Sequence, residues 1–279
     1  MTDNWFIEKY TPYSGLGFSV RERLHDQQSP FQRIEVFENA DYGRVLTLDG
    51  CVMLTDRDEF VYHEMITHPA ILTHPAPENV LIVGGGDGGT VREVCRHPEV
   101  KRVDLVEIDE AVIEVSRRFF PGLTTRLEDP RVTIRCMDGF EYMDAHQGAY
   151  DVIIVDSIDP VGEAAKLFTS SFYSKVHAGL RENGTAVFQT ESPFFSSDVL
   201  ARVLRLLRPH FSFVQPYLAF IPTYPSGMWS FTIASLRGNI MEQGLLRQPG
   251  FQGEMKYFTP EMFNSAFSLP NFIKTALAD

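Results

Sequence analysis

Residues 80–94 constrain the fold more than any other part of this 279-residue chain. They begin with four apolar residues, break into five glycines around Asp87, and resume with a helical pattern. The loop glycines are Gly84, Gly85, Gly86, Gly88 and Gly89. Three of them follow the spacing G-x-G-x-x-G between a strand and a helix, which is typical of a nucleotide-binding βαβ unit.

From residue 79 onwards, predicted strands alternate with predicted helices. Short apolar runs predict strands at residues 80–83, 102–109, 132–137, 150–155 and 185–190. Helical spacing predicts helices at residues 90–96, 110–120, 170–180 and 197–207, the third of them ending near Asn183-Gly184. Two late strands are expected at residues 211–220 and 228–235. The alternation indicates a doubly wound α/β domain, which binds ligands at the carboxyl ends of its parallel strands.

The N-terminal region has the alternating pattern of short strands, from about residue 17. Residues 44–48 and 51–54 flank Asp49-Gly50, a preferred two-residue turn, and so predict a hairpin. We therefore expect a small antiparallel β domain over residues 1–57, followed by the α/β domain over residues 58–279.

A helix is expected to connect these two domains. Asp56 is a candidate N-cap, and Glu59 stands three residues further on, as in a capping box. The helical pattern covers residues 60–68, and prolines from Pro69 onwards mark the junction. The helix looks half-buried, with three polar residues in its first turns. They are Tyr62, His63 and Glu64.

The acidic composition limits the classes of partner. Asp and Glu outnumber Lys and Arg by 37 to 25, a net charge of −12, which argues against nucleic acid and anionic membranes. Three separated cysteines, no secretory signal and no apolar run of 18 residues lead us to expect a cytoplasmic protein. The spacing of His63, His68 and His74 matches no usual metal-ligand pattern, so no metal is expected.

Asp87 restricts which nucleotide the glycine loop can hold. A dinucleotide would place its pyrophosphate there, and the carboxylate would oppose it at a cost on the order of kilocalories per mole. Glu107 ends the second predicted strand, about 20 residues further on, where an acid binds a ribose diol. Two ligand classes remain, dinucleotides and sulfonium nucleosides of the S-adenosylmethionine type, and Asp87 favours a nucleoside that carries an ammonium group.

Acidic residues gather at the predicted strand ends. The carboxyl ends of parallel strands meet at one edge of the sheet, so these acids would share one crevice. A crevice with several carboxylates attracts polycations. The acids are Asp87, Glu107, Asp138, Asp156 and Asp159.

Taken together and in order, motifs over nearly the whole chain resemble those of spermidine synthases, the polyamine aminopropyltransferases. The α/β part carries residues 84–89 (GGGDGG), 106–109 (VEID), 138–139 (DG), 150–160 (YDVIIVDSIDP) and 221–227 (IPTYPSG). The N-terminal part carries residues 31–32 (FQ), 48–50 (LDG) and 58–65 (DEFVYHEM). The resemblance implies an α/β, Rossmann-like doubly wound sheet of the S-adenosylmethionine-methyltransferase type, preceded by a small antiparallel β domain.

The resemblance also implies a reaction. Decarboxylated S-adenosylmethionine would donate its aminopropyl group to a diamine such as putrescine, which gives spermidine and 5′-methylthioadenosine. Asp156 is implied as the general base, with no metal or resident cofactor, in a homodimer or homotetramer. The residues implied to hold the nucleoside are Gln32, Glu107, Asp138, Gly139 and Glu163. The residues implied to bind the amine or polyamine are Tyr62, His63, Asp87, Asp159 and Tyr224.

Four residues depart from the family pattern. The family usually has Gln at Met53, Ser or Thr at Ile158, Pro at Glu163 and an acid at Ala165. These positions belong to the gating loop and the pocket rim of the family, so they leave the acceptor amine open. The alternatives are an aminopropyltransferase paralogue with a different amine, an S-adenosylmethionine-dependent methyltransferase, and a non-catalytic polyamine- or nucleoside-binding protein.

Overall fold

The structure is a computed structural model that describes residues 4–158 and 162–278. Two small β-sheets come first, a long buried helix follows, and a seven-stranded sheet with helices on both faces completes the fold. The expected domain boundary between residues 57 and 58 falls between the last small-sheet strand and that helix, and it stays a prediction. Within the described ranges, no helix is long and apolar enough to cross a membrane.

The N-terminal region forms antiparallel sheets. Its strands are β1 (Trp5–Thr11), β2 (Ser14–Ser19), β3 (Glu22–Gln28), β4 (Arg33–Asn39), β5 (Gly43–Leu48) and β6 (Cys51–Thr55). β1 pairs with β2, and β3 to β6 pair in chain order as a four-stranded sheet. Between β5 and β6, Asp49 and Gly50 have φ angles of 49° and 81°, the positive values of a type I′ turn. The predicted hairpin is therefore confirmed.

The strands begin at Trp5, earlier than the expected start near residue 17. In β1 the large apolar side chains of Trp5 and Ile7 are exposed, whereas Phe6 and Glu8 are buried. A half-buried strand is recognised by apolar residues on its buried face. Because a carboxylate takes one of these buried positions, the pattern of β1 does not indicate a strand.

The connecting helix, α1 (Glu59–Thr73), differs from its expected form at both ends. Asp56 is not its N-cap, because the helix begins after Asp58 and the Asp56 carboxylate accepts a hydrogen bond from the Arg44 backbone N–H at 2.9 Å. The helix also continues past residue 68 to Thr73, with Pro69 inside it. Pro69 therefore does not mark the junction.

Pro69 is tolerated because a distant side chain replaces the hydrogen bond that it removes. A proline inside a helix leaves the carbonyl four residues earlier without its usual donor. That carbonyl belongs to Met65, and it accepts a hydrogen bond from the fully buried Tyr217 hydroxyl at 2.7 Å. The donor lies 152 residues further along the chain, so local sequence around Pro69 does not reveal it.

α1 is buried along nearly its whole length, not on one side as expected. Its polar side chains are therefore paired within the protein. The Glu64 carboxylate accepts three backbone N–H bonds, from Lys256, Tyr257 and Phe258, at 2.8, 2.8 and 2.7 Å. These bonds hold the C-terminal segment against α1.

The large sheet contains the parallel strands predicted from residue 79 onwards. Its strands are β7 (Asn79–Gly84), β8 (Arg102–Glu107), β9 (Val132–Cys136), β10 (Tyr150–Asp156), β11 (Leu180–Gln189), β12 (Phe213–Phe220) and β13 (Met228–Ser235). Their order is β12-β13-β11-β10-β7-β8-β9. The strands from β11 to β9 are parallel to one another, and β13 runs antiparallel to both of its neighbours, β11 and β12. This order confirms the predicted Rossmann-like doubly wound fold.

Helices connect these strands and cover the sheet. Between the strands lie α2 (Gly89–Val94), α3 (Glu110–Phe119), α4 (Gly139–Tyr142), α5 (Ser170–Gly179) and α6 (Ser197–Leu207). The C-terminal helices are α7 (Ile240–Gln243), α8 (Pro260–Ala266) and α9 (Asn271–Ala276). The expected end of α5 near Asn183-Gly184 is wrong, because β11 already begins at Leu180 and pairs with Tyr150.

The chain reverses its direction of strand addition between β7 and β10. These two strands are parallel neighbours, and their paired residues end with Asp156 beside Gly84. In a doubly wound sheet, the crevice at such a switch point is where ligands bind. The fold therefore brings the glycine loop after β7 and the acid at the end of β10 to the same crevice.

We predict that Tyr217→Phe lowers the free energy of unfolding by about 1–3 kcal/mol, because it leaves the buried Met65 carbonyl without its donor. Tyr13→Phe is the matched control, since Tyr13 is 97% exposed, and it should change stability by less than about 0.5 kcal/mol. Urea unfolding at one protein concentration measures both variants. Equal stability of Tyr217→Phe and the parent protein would contradict this account of Pro69.

Candidate active site

A cavity of about 340 Å³ opens at the switch point between β7 and β10. Most of the predicted site residues line it. They are Gln32, Tyr62, His63, Gly84, Gly85, Gly86, Asp87, Glu107, Asp138, Gly139, Asp156 and Tyr224. Gly88 and Gly89 belong to the glycine loop but are not among the residues that line the cavity. Asp159 lies outside the described residues, and so does the side chain of Glu163.

The glycine loop needs its glycines for close packing as well as for backbone conformation. Gly84 and Gly88 have φ angles of 82° and 84°, in the left-handed region that glycine adopts without strain. A Cβ at Gly84 would lie 2.0 Å from the Asp156 backbone oxygen, and one at Gly89 would lie 2.4 Å from the His63 ring. The loop is therefore pressed against both α1 and the end of β10.

Glu107 lies at the end of β8, below the glycine loop. Its carboxylate accepts hydrogen bonds from the backbone N–H groups of Gly86 at 3.1 Å and Asp109 at 2.9 Å. Burial raises the pKa of Glu107 to about 7, although these hydrogen bonds oppose the rise. The Gln32 amide, also at the cavity, donates to the Asp109 carboxylate at 3.0 Å. Glu107 and Gln32 are thus held in fixed orientations by the same short segment.

Asp138 has a partner on each of its carboxylate oxygens. Oδ1 accepts from the Phe140 backbone N–H at 2.8 Å and so caps α4. Oδ2 forms an ion pair with the Lys166 ammonium, which lies on the 3-10 segment Gly162–Phe168. A lysine of the segment after β10 therefore contacts an acid that the resemblance assigns to the nucleoside.

Asp156, at the end of β10, is nearly buried and accepts two short hydrogen bonds. The Tyr62 hydroxyl donates to Oδ1 at 2.7 Å, and the Thr90 hydroxyl donates to Oδ2 at 2.6 Å. Burial raises the pKa of Asp156, and the negative charge of Asp87 adds to the rise. Asp156 therefore binds a proton more strongly than an ordinary aspartate does.

Asp87 also faces the cavity, but its pKa is shifted in the direction opposite to that of Asp156. Its Oδ1 accepts from the Gly89 backbone N–H at 2.7 Å and lies 3.2 Å from Nε2 of His63. Burial alone would raise the pKa of Asp87, but the His63 charge and hydrogen bond outweigh it and the pKa is lowered. Two aspartates at the same cavity thus differ in proton affinity, because the effect of His63 outweighs burial at Asp87 but not at Asp156.

The residues that depart from the family pattern differ in whether they line the cavity. Met53 lines the cavity, and its backbone carbonyl accepts a hydrogen bond from the Tyr224 hydroxyl at 2.5 Å. Ile158 also lines it, and its carbonyl accepts from the Gln189 amide at 3.3 Å. Both contacts use main-chain oxygens, so they do not depend on which side chain is present. Ala165 is exposed.

Among the residues that contact the predicted site residues, Thr90, Glu59 and Lys166 were not themselves predicted. Thr90 directly follows the glycine loop. Its hydroxyl reaches the Asp156 carboxylate because of the register in which β7 pairs with β10. Glu59 is four residues before His63 on α1, a spacing that places both on one face, and it contacts Nδ1 at 2.7 Å. The i,i+4 spacing could have indicated the contact between Glu59 and His63, but Glu59 was interpreted as part of a capping box at Asp56.

The site is rich in carboxylates that have separate hydrogen-bond partners. Among the described residues, no group of three or more His, Cys, Asp or Glu side chains is placed to hold a metal ion. Asp87, Glu107 and Asp156 instead line the cavity separately, each with its own hydrogen-bond donors. The arrangement can bind a cationic organic ligand and accept a proton from it.

Comparisons with known proteins match most of the chain to one family. The family described as "Spermine/spermidine synthase domain" matches residues 59–243, and the "Spermidine synthase tetramerisation domain" matches residues 4–56. The polyamine aminopropyltransferase of Bacillus mycoides (strain KBAB4) is 45% identical over 269 residues, which cover 96% of this chain and 97% of the relative. The polyamine aminopropyltransferase of Bacillus subtilis (strain 168) is 44% identical over 273 residues, 98% of each chain.

Solved structures agree with these matches. A crystal structure of spermidine synthase in complex with the transition state analogue AdoDATO has a TM-score of 0.95 and 39% identity, covering 100% of this chain and 96% of that one. Spermidine synthase from Thermotoga maritima has a TM-score of 0.93 and 39% identity, covering 100% and 95%. With a family match over more than half of its length and relatives 44–45% identical over nearly all of it, the chain belongs to the spermidine synthase family of polyamine aminopropyltransferases and is an enzyme.

Proposed function

We propose that this enzyme transfers the aminopropyl group of decarboxylated S-adenosylmethionine to putrescine, which gives spermidine and 5′-methylthioadenosine. The observation that carries the proposal is the contrast between Asp87 and Asp156 at one cavity: the first has a lowered pKa and the second a raised one. The reaction needs both, a fixed negative charge for the donor's ammonium and a base for the acceptor's proton. The bound analogue in the 39% identical spermidine synthase supports the same donor class.

The proposed chemistry is one displacement at carbon. An alkyl ammonium has a pKa of ~10.4, so about one molecule in 10³ is neutral at pH 7, and the acceptor must lose a proton to attack. Asp156 accepts that proton as the nitrogen–carbon bond forms and the carbon–sulfur bond breaks. The bonding electrons go to the sulfur, which leaves as the neutral thioether of methylthioadenosine. The sulfonium already activates the carbon, so positioning the two reactants supplies the rest of the catalysis.

The remaining residues have proposed binding roles. Glu107 and Gln32 hold the ribose, and Asp138 with Gly139 holds the base, with Glu163 beside it. Asp87 binds the aminopropyl ammonium of the donor. On the acceptor side, Tyr62 and Tyr224 form an aromatic wall with ring centroids 5.9 Å apart. The diamine site would be completed by Asp159, with His63 beside the site in contact with Asp87.

We also propose a cytoplasmic homo-oligomer, either a dimer or a tetramer. The match of residues 4–56 to a tetramerisation domain supports assembly, and the exposed Trp5 and Ile7 of β1 offer apolar surface for it. The expectation that nucleic acid and membranes are not partners stays a prediction that rests on the net charge of −12.

The test is incubation with decarboxylated S-adenosylmethionine and a panel of amines, with methylthioadenosine release as the readout. We expect release, and fastest with putrescine. Release with a different amine would show a paralogue, and tighter calorimetric binding of the carboxylated donor would indicate a methyltransferase. Binding of nucleoside without product from any amine would leave a non-catalytic binding protein and sink the proposal.

We predict that Asp156→Asn lowers kcat by at least about 10²-fold, the usual effect of losing a general base. The amide keeps the size of the side chain, so the Kd for methylthioadenosine should change by less than about twofold. Asp198→Asn, an exposed aspartate on α6, is the control and should leave kcat unchanged. A kcat of Asp156→Asn within about threefold of the parent value would rule out Asp156 as the base.

The raised pKa of Glu107 predicts a pH dependence for nucleoside binding. A ribose diol donates hydrogen bonds, so it binds the ionised carboxylate, whose population rises as the pH passes upward through about 7. The affinity for methylthioadenosine, a neutral ligand, should therefore increase by about tenfold from about pH 6 to about pH 8. Calorimetry measures it, and Glu107→Gln should bind more weakly with no such slope. An equal slope in that variant would assign the titration to another group.

A further inference from the structure

A row of alternating charges runs from the cavity into the interface between α1 and α2. Asp87 at the cavity meets His63, and His63 meets Glu59. Glu59 in turn is held by Arg92 of α2, whose guanidinium donates to both carboxylate oxygens at 3.0 and 2.8 Å. The far side of Arg92 donates to Glu93 at 2.8 Å. His63 and Glu93 are buried, and the side chains of the other members are 10–18% exposed.

The geometry determines the charge of His63. Its Nδ1 lies 2.7 Å from a Glu59 oxygen, and its Nε2 lies 3.2 Å from an Asp87 oxygen. A carboxylate oxygen only accepts hydrogen bonds, so each ring nitrogen must carry a proton. A neutral imidazole would direct a lone pair at one of the two carboxylates. His63 is therefore an imidazolium, and it lies behind Asp87 as its counter-charge.

Glu59 and Arg92 act on this imidazolium without reaching the cavity. Neither belongs to the described residues that line it, whereas His63 and Asp87 do. A bidentate pair between a guanidinium and a carboxylate fixes both groups in one plane. Arg92 thus fixes the Glu59 oxygen that accepts the hydrogen bond from Nδ1 of His63. The position of this oxygen in turn sets the position of the His63 ring against Asp87.

We propose that Glu59, clamped by Arg92, is a positioning residue for the donor's aminopropyl ammonium: it keeps His63 doubly protonated and aimed at Asp87. This inference rests on the proposed function of Asp87. Without Glu59, the imidazolium loses one of its two acceptors, and Asp87 is no longer held between the Gly89 N–H and a fixed cation. The ammonium would then meet a carboxylate of altered position and charge.

The groups that face His63 come from three further elements. Asp87 comes from the glycine loop, Asp156 from β10 and Arg92 from α2, and Glu59 shares its own helix. Burial works to lower the pKa of His63, but Asp87 and Glu59 outweigh it and raise the pKa to about 10. The imidazolium therefore persists through the neutral range in the parent protein. Removing the Glu59 charge lowers this pKa, and proton loss then begins at a lower pH.

The test compares two ligands on Glu59→Gln by calorimetry. Decarboxylated S-adenosylmethionine carries the ammonium, and methylthioadenosine lacks it. We expect the Kd of the first to rise by about tenfold, the scale of one charge-assisted hydrogen bond, and the Kd of the second to stay unchanged. Above the titration of Glu107, from about pH 8 to about pH 9, the Kd of the first should also be flat in the parent protein and rise with pH in the variant.

Glu93→Gln is the matched control, because it removes one carboxylate from the same Arg92 without touching His63. It should leave both Kd values and the flat pH profile unchanged. Glu59→Gln leaves Arg92 paired with Glu93, so we expect it to fold; if it does not, Arg92→Lys loosens the clamp while keeping the charge and should raise the donor Kd by a few-fold.

Two outcomes would overturn the inference. One is a Glu59→Gln donor Kd equal to that of Glu93→Gln, with a flat pH profile in both. The other, if only Arg92→Lys folds, is a donor Kd and pH profile identical to those of the parent protein. Failure of the proposed function looks different, because the parent protein itself would then release no methylthioadenosine with any amine.

Discussion

The pairing of buried charges on α1 is the constraint on which the rest of the structure depends. A buried ion without a partner costs several kcal/mol, so a helix that carries Glu59, His63 and Glu64 can lie in the centre of the protein only if each finds an opposite charge or a donor. Those partners come from the glycine loop, from α2 and from the C-terminal segment. The requirement therefore joins distant parts of the chain around one cavity, and the site is assembled by the same contacts that permit the helix to be buried.

Within that cavity, three carboxylates of similar chemistry have been given different proton affinities by their surroundings. Asp87 has a cation behind it, Asp156 has hydroxyl donors and a neighbouring negative charge, and Glu107 has backbone N–H groups in a buried position. The direction of each pKa follows from which of these partners dominates. A single type of side chain thereby supplies a fixed anion, a proton acceptor and a hydrogen-bond acceptor for a diol.

The sequence predicted the features that depend on local pattern. Strand and helix periodicity, the glycine loop and the acids at strand ends can each be recognised from neighbouring residues, and the alternation of strands and helices indicates a doubly wound sheet. Features that depend on partners far along the chain were missed. Pro69 looked like a helix end because its compensating donor is Tyr217, and Glu59 looked like part of a cap because its partner Arg92 is 33 residues away. The start of β1 was missed because buried Glu8 interrupts the apolar alternation.

Glu64 has a consequence for the order in which the protein folds. The backbone groups that satisfy its carboxylate are 192 to 194 residues further along the chain, and the last of them belongs to Phe258. A chain that is still being synthesised therefore contains α1 long before it contains the donors that allow this charge to be buried. Contacts of such sequence separation form late, since the loop between them must close first. The helix that carries the site thus reaches its final environment only after residues 256–258 have been synthesised and have docked against it.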